Sequence, residues 1–100
     1  MGLKVRLHQK ARADLESIRD YLLQHADRSA AERVRVHLRQ KIQRLADHPN
    51  IGTATSNPDI RIVPPTKYPY RIYYTVAGPV VVILHIRHTN RREPDLEDLR

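Results

Sequence analysis

A chain of 100 residues with no cysteine has room for one domain around a single modest core, and excludes disulfides, thiolate catalysis and cysteine-bound metal. Lys and Arg number 18 against 11 Asp and Glu, a net charge of +7, which favours an acidic partner. No apolar run approaches the ~20 residues of a membrane span, and residues 1–15 carry charges where a signal peptide needs an apolar core, so a soluble, cytoplasmic protein is expected.

Leu3-Lys-Val-Arg-Leu7 alternates apolar and basic side chains, the two-residue period of a half-buried strand. It is too short to stand alone and is expected to pair with the C-terminal half of the chain. From Gln9 the period changes. Ala11, Leu15, Ile18 and Leu22 fall on one face of a helix over residues 9–25. Tyr21 flanks that stripe and reads as packing. Ser29-Ala-Ala-Glu32 has the spacing of a capping box, with Asp27 as a competing cap, and opens a second helix to about residue 47. Its buried stripe is Ala31, Val34, Leu38, Ile42 and Leu45, while Arg33, Arg35, Arg39, Lys41 and Arg44 form a solvated basic face. A connection of about four residues predicts an antiparallel helical hairpin.

Pro49 and Gly52 stop the second helix and open a connecting loop over residues 49–59. Ile60-Arg-Ile-Val63 is a short strand closed by Pro64 and Pro65. Two long runs rich in Val, Ile and Tyr follow, Lys67 to Val76 and Val80 to His88, broken by Ala77-Gly78-Pro79; they read as an antiparallel hairpin. Residues 93–100 are an acidic, Leu-spaced tail, either one more helical turn or a frayed end. The order β-α-α-β-β-β predicts a single α+β domain over residues 1–100, a small antiparallel sheet with two N-terminal helices on one face.

Side chains alternate across a sheet, so parity sorts the hairpin. Even positions Ile72, Tyr74, Val76, Val80, Val82, Leu84 and Ile86 are the apolar set and are expected to meet the helices. Odd positions, with Arg71, Tyr73, His85 and Arg87, are expected to form an open face. A three-residue loop at Ala77-Gly78-Pro79 keeps the faces separate and sets Arg71 opposite His85. A two-residue loop would pair Ile72 with His85 and mix them.

Charge is concentrated on this hairpin. No acidic residue lies between Asp59 and Glu93, a segment that holds Arg61, Lys67, Arg71, Arg87, Arg91 and Arg92 together with His85 and His88. Four of the five tyrosines fall within residues 68–74. A one-signed, aromatic-rich region implies nucleic acid or an acidic protein segment as partner. Arginine offers a planar fork for phosphate or carboxylate, and histidine a general acid or base near neutral pH. Together they are what cleavage of RNA by its own 2′-hydroxyl requires, and they equally suit electrostatic binding. No metal or other cofactor is expected: His85 and His88, three apart on a strand, point to different faces, and no nearby carboxylate completes a ligand set.

These residues resemble the RelE/ParE toxins of bacterial type II toxin–antitoxin systems, small basic proteins also called plasmid-stabilisation proteins. The likeness rests on Ala13-Asp-Leu-Glu-Ser-Ile18 with Tyr21 behind it, on the capped second helix, and above all on Tyr68-Pro-Tyr-Arg-Ile-Tyr-Tyr74 and Ile83-Leu-His-Ile-Arg-His-Thr-Asn-Arg-Arg92. It implies a RelE/ParE-like fold and neutralisation by a cognate antitoxin. RelE-like members cut messenger RNA on the ribosome, and their arginine and histidine positions fall on Arg71 and His88. ParE-like members poison DNA gyrase by binding. Several nuclease members carry a tyrosine at or beside the final position, where this chain has Thr89 after His88, and the Tyr-Pro-Tyr-Arg stretch and the Arg-rich end are closer to the ParE-like pattern. Arg61, Lys67, Tyr68, Arg71, Tyr73, His85, Arg87, Arg91 and Arg92 are the candidates for meeting target or antitoxin, and Arg71→Ala is expected to reduce toxicity under either activity.

Overall fold

The structure is a computed structural model that describes residues 2–92 and 94–96. Strand β1 spans Lys4–Leu7, helix α1 Gln9–His25 and helix α2 Arg28–Asp47. The strands β2 (Thr53–Ala54), β3 (Arg61–Val63), β4 (Tyr70–Ala77) and β5 (Val80–His88) follow. They form one five-stranded sheet in the order β1-β5-β4-β3-β2. The expected α+β architecture holds, with two corrections. Thr53–Ala54, read as loop, adds an edge strand through its pairing with Arg61 and Ile62. The sheet is also mixed, because β1 runs parallel to β5. A parallel neighbour requires a long crossover, which the inserted helices and the β2–β4 segment provide.

The two helices are joined by Ala26 and Asp27 alone, shorter than expected. Asp27, not Ser29, caps α2: its carboxylate accepts the Ala30 N–H at 2.7 Å. The Ser29 hydroxyl instead accepts from Arg33 at 2.6 Å. All five residues of the α2 stripe are buried, while on α1 only Ala11 is fully enclosed and Leu15, Ile18 and Leu22 are half-buried. These side chains meet Tyr70, Ile72, Tyr74, Val81, Ile83 and Ile86 in one core between helices and sheet. Each such large side chain contributes about 1.5–3 kcal/mol by burial.

The β4–β5 register overturns the predicted one. Ala77 pairs with Val80, leaving Gly78-Pro79 as a two-residue turn. Gly78 has φ +59°, the first-position requirement of a type II′ turn, and the ring of Pro79 sets the negative φ wanted at the second position. Tyr74 then pairs with Ile83 but Tyr73 with His85, so Leu84 is an extra residue and forms a β-bulge. Past the bulge Arg71 lies opposite Arg87, not His85, and Tyr70 opposite His88.

The bulge also changes which residues of β5 face the helices. Val81 and Ile83 do so near the turn and Ile86 beyond it. The even-numbered Val80, Val82 and Leu84, expected on the helix side, lie on the other face with Ile60, Ile62, Tyr73 and Leu96. The face expected to be open and cationic is therefore a second apolar cluster. Of the predicted tail, only 94–96 fall within the described residues, and Leu96 packs on that cluster.

Candidate functional site

The sheet brings its chemistry together at the far end of β5. The pairing with β1 stops at Leu7–Ile83, and the chain turns there directly into α1, with His8 N–H donating to the Ile83 carbonyl at 2.8 Å. Beyond that point α1 covers the strand edge in place of β1. Asp14, on the inner side of the helix, accepts the Ile86 N–H at 3.0 Å and thus satisfies an edge donor that no strand reaches. The same carboxylate oxygen bonds His85 Nδ1. His85 is 4% exposed. Its other nitrogen, Nε2, lies 3.3 Å from Arg87 Nη1.

Asp14, Ser17, Tyr21, Tyr70, Arg87 and His88, with Asn90 and Arg91 from the following turn, line a cleft of about 460 Å³ between α1 and the strand end. His88 packs edge-on against the Tyr70 ring, 5.3 Å between centroids. Its Nδ1 accepts the Asn90 N–H at 3.0 Å, so the remaining proton sits on Nε2. Arg91 N–H closes the turn on the His88 carbonyl. Burial, with the Tyr21 phenol nearby, pushes the Tyr70 hydroxyl up from its ordinary value, which keeps it a neutral donor. Burial pushes His85 down, against the pull of the Asp14 carboxylate and with help from Lys10 and Arg87. His85 is accordingly neutral, donating from Nδ1 to Asp14 and accepting on Nε2 from Arg87.

Of the sequence candidates, His85, Arg87, His88 and Arg91 converge on this cleft. The others are spread elsewhere. Arg61 donates to the Gly52 carbonyl at 2.8 Å and ties the β2 end to β3. Tyr68 packs edge-on against His37 on α2 at 4.9 Å, with Lys67 5.6 Å above its ring. Tyr73 sits in the second apolar cluster, its ring 6.1 Å from His85. Arg71 is half-buried on β4 across from Arg87, and Arg92 is exposed beyond the strand.

Asp14, Ser17, Tyr21, Tyr70 and Asn90 were absent from the candidates. Tyr21, read as packing, is 59% exposed and walls the cleft. A carboxylate does lie beside His85, which its neighbours in the chain do not supply, since Asp14 arrives from 71 positions away. Only its place in an Ala-Asp-Leu helix start could have marked it. Among the described residues no group of three His, Cys, Asp or Glu is disposed to hold a metal ion, and no helix is long and apolar enough to cross a membrane.

Residues 5–93 match the family model described as ParE toxin of type II toxin-antitoxin system, parDE. The chain is 40% identical over 85 residues to Toxin RelE2 of Caulobacter vibrioides, covering 82% of this chain and 90% of that one. In fold it is similar to a chain of the chromosomal ParDE system from P. aeruginosa, with a TM-score of 0.78, 21% identity, and coverage of 88% and 97% of the two chains. It is also similar to a chain of the RelBE2 toxin–antitoxin complex from Mycobacterium tuberculosis, with a TM-score of 0.66, 19% identity, and coverage of 88% and 99%. The chain belongs to the ParE toxin family of type II toxin–antitoxin systems.

Proposed function

We propose that this toxin acts by binding and inhibiting DNA gyrase, with the cleft beside α1 as its contact surface, and that a cognate antitoxin holds it inactive. The observation that carries the reading is how the histidines are used. His85 is tied at both nitrogens, and His88 gives Nδ1 to the Asn90 backbone. Arg71 is not among the residues that line the cleft with His88. What remains exposed is a set of cations and hydroxyls suited to recognition, without a paired base and acid for a 2′-hydroxyl and its leaving oxygen.

A second reading, a ribosome-dependent messenger RNA endonuclease, draws on the RelE name of the 40%-identical relative and on Arg87, His88 and Arg91 sharing one cleft. The two separate cleanly after brief expression in cells. Gyrase-linked DNA breaks and an SOS response with intact transcripts are the expected result. In-frame transcript cleavage with undamaged DNA overturns it. His88→Gln is expected to keep most of the inhibition, whereas a nuclease would lose most of its cutting.

The antitoxin has a natural seat. An apolar groove of about 690 Å³ opens between the helices and β1, floored by Leu7, Leu15, Val34 and Leu38 and rimmed by Arg35 and Arg39. A segment carrying apolar side chains flanked by Asp or Glu matches both its floor and its rim.

A further inference from the structure

We propose that Asp14 and His85 are positioning residues that orient the Arg87 guanidinium to take a carboxylate side chain of a partner protein in the cleft beside α1. The chain of contacts is continuous. Asp14 is fixed by the Ile86 backbone N–H and by His85 Nδ1. A carboxylate can only accept, so His85 carries its proton on Nδ1 and presents the lone pair of Nε2. Arg87 Nη1 donates to that lone pair from 3.3 Å. One end of the guanidinium is thereby anchored, and its free rotation about the side chain is lost.

The Nε–H of Arg87 is buried and has no hydrogen-bond partner among the described residues. Buried donors are almost always paired, so this one marks a guanidinium whose surroundings open to admit a partner from the cleft that Arg87 lines. Nε–H together with an Nη–H is the planar fork that grips both oxygens of a carboxylate. Arg91 adds positive charge from the same turn, and Ser17, Tyr21, His88 and Asn90 offer further polar groups. Asp14, the only carboxylate among the described lining residues, is engaged with β5 and does not compete. The cleft walls include Ile18, Ile86 and the Tyr70 ring, which suit the methylene stem of Asp or Glu. A nucleic-acid backbone, which brings a run of phosphates, needs a track of cations instead. The inference rests on reading the cleft as a protein-binding surface, but not on gyrase being the protein.

His85 makes the arrangement pH-sensitive. It is faced by Asp14 and Lys10 from α1, Arg87 from its own strand and Tyr73 from β4. Protonation of Nε2 replaces its lone pair with an N–H and a positive charge, so Arg87 is released and repelled.

The test follows arginine Nε–H and histidine ring resonances by NMR in the folded protein. The probes are a penta-glutamate peptide and a penta-uridylate. Expected are a neutral His85 with Nδ1–H at pH 7, and a saturable shift of the Arg87 Nε–H on adding the peptide at several-fold lower concentration than the RNA. Peptide affinity should fall as His85 protonates in the native protein and show no such step in His85→Gln. A doubly protonated His85 at pH 7, an unmoved Arg87 Nε–H, or preference for the RNA would each overturn the proposal. So would the same pH profile in a folded His85→Gln. Failure to inhibit gyrase in cells would leave all four readouts standing, so the two readings fail separately.

Discussion

Tyr74, in the middle of β4, reaches Gly52 at the start of the β2 segment: its hydroxyl accepts the Gly52 N–H at 2.9 Å and donates to the Pro49 carbonyl at 2.8 Å. The side chain is fully buried, and burial pushes the phenol up so that it stays protonated. One hydroxyl thus pairs two loop groups that no strand satisfies. Tyr74→Phe should cost about 1–3 kcal/mol by leaving them unpaired. A Cβ at Gly52 would sit 2.6 Å from the hydroxyl and 2.7 Å from Cε1, so Gly52→Ala should also destabilise by about 1–3 kcal/mol through overpacking. Urea unfolding reads both; a Tyr74→Phe variant as stable as the native chain would refute the assignment.

The cap of α2 can be tested in the same way. Asp27→Ala should lose about 1 kcal/mol, seen as a lowered Tm, because the Ala30 N–H loses its acceptor. Ser29→Ala removes only a surface contact with Arg33 and should leave Tm nearly unchanged. Equal losses in the two variants would restore Ser29 as the cap.

The helices and the first strand are legible because each is written by one regular period: Val34, Leu38, Ile42 and Leu45 recur at helical spacing, and Val5 and Leu7 alternate with basic residues. The hairpin register is not. Both faces of β5 are covered, so Val80 to Ile86 carries no alternation, and neither the parity nor the bulge at Leu84 leaves a mark. A two-residue turn mixes the faces in an unbroken ladder, and the bulge restores their separation. Half of the site was legible for a related reason: Arg87, His88 and Arg91 stand together in the chain, whereas Asp14 and Tyr21 look like any outward residues of a surface helix until that helix is laid across the strand edge.

Arginines near this sheet should separate by role. Arg87→Ala is expected to weaken target binding by about 1.5–3 kcal/mol, the scale of one charge-assisted hydrogen bond, with little change in unfolding. Arg61→Ala should do the reverse, because its guanidinium holds the Gly52 carbonyl and lies away from the cleft. Measuring toxicity and urea stability for both variants decides the matter; loss of toxicity in a stable Arg61→Ala would extend the contact surface beyond the cleft.

Acid should weaken the fold through His85. Burial lowers its folded pKa below the ordinary 6.5, the Asp14 carboxylate opposing and Lys10 and Arg87 reinforcing the shift. Between the two values the unfolded chain binds the proton and the folded chain does not. Stability is therefore fully present above the unfolded value, declines as pH falls towards the folded value, and levels off below it. His37, lowered by burial and by Lys41 and Lys67, adds a weaker slope of the same sign because it is more open to solvent. Urea unfolding from neutral pH down to about pH 5, compared between the native chain and His85→Gln, isolates the buried group, since the remaining titrations cancel in the difference. The native chain should lose its advantage over the variant as the pH drops. Parallel curves would mean that His85 keeps its ordinary value and is not held neutral between Asp14 and Arg87.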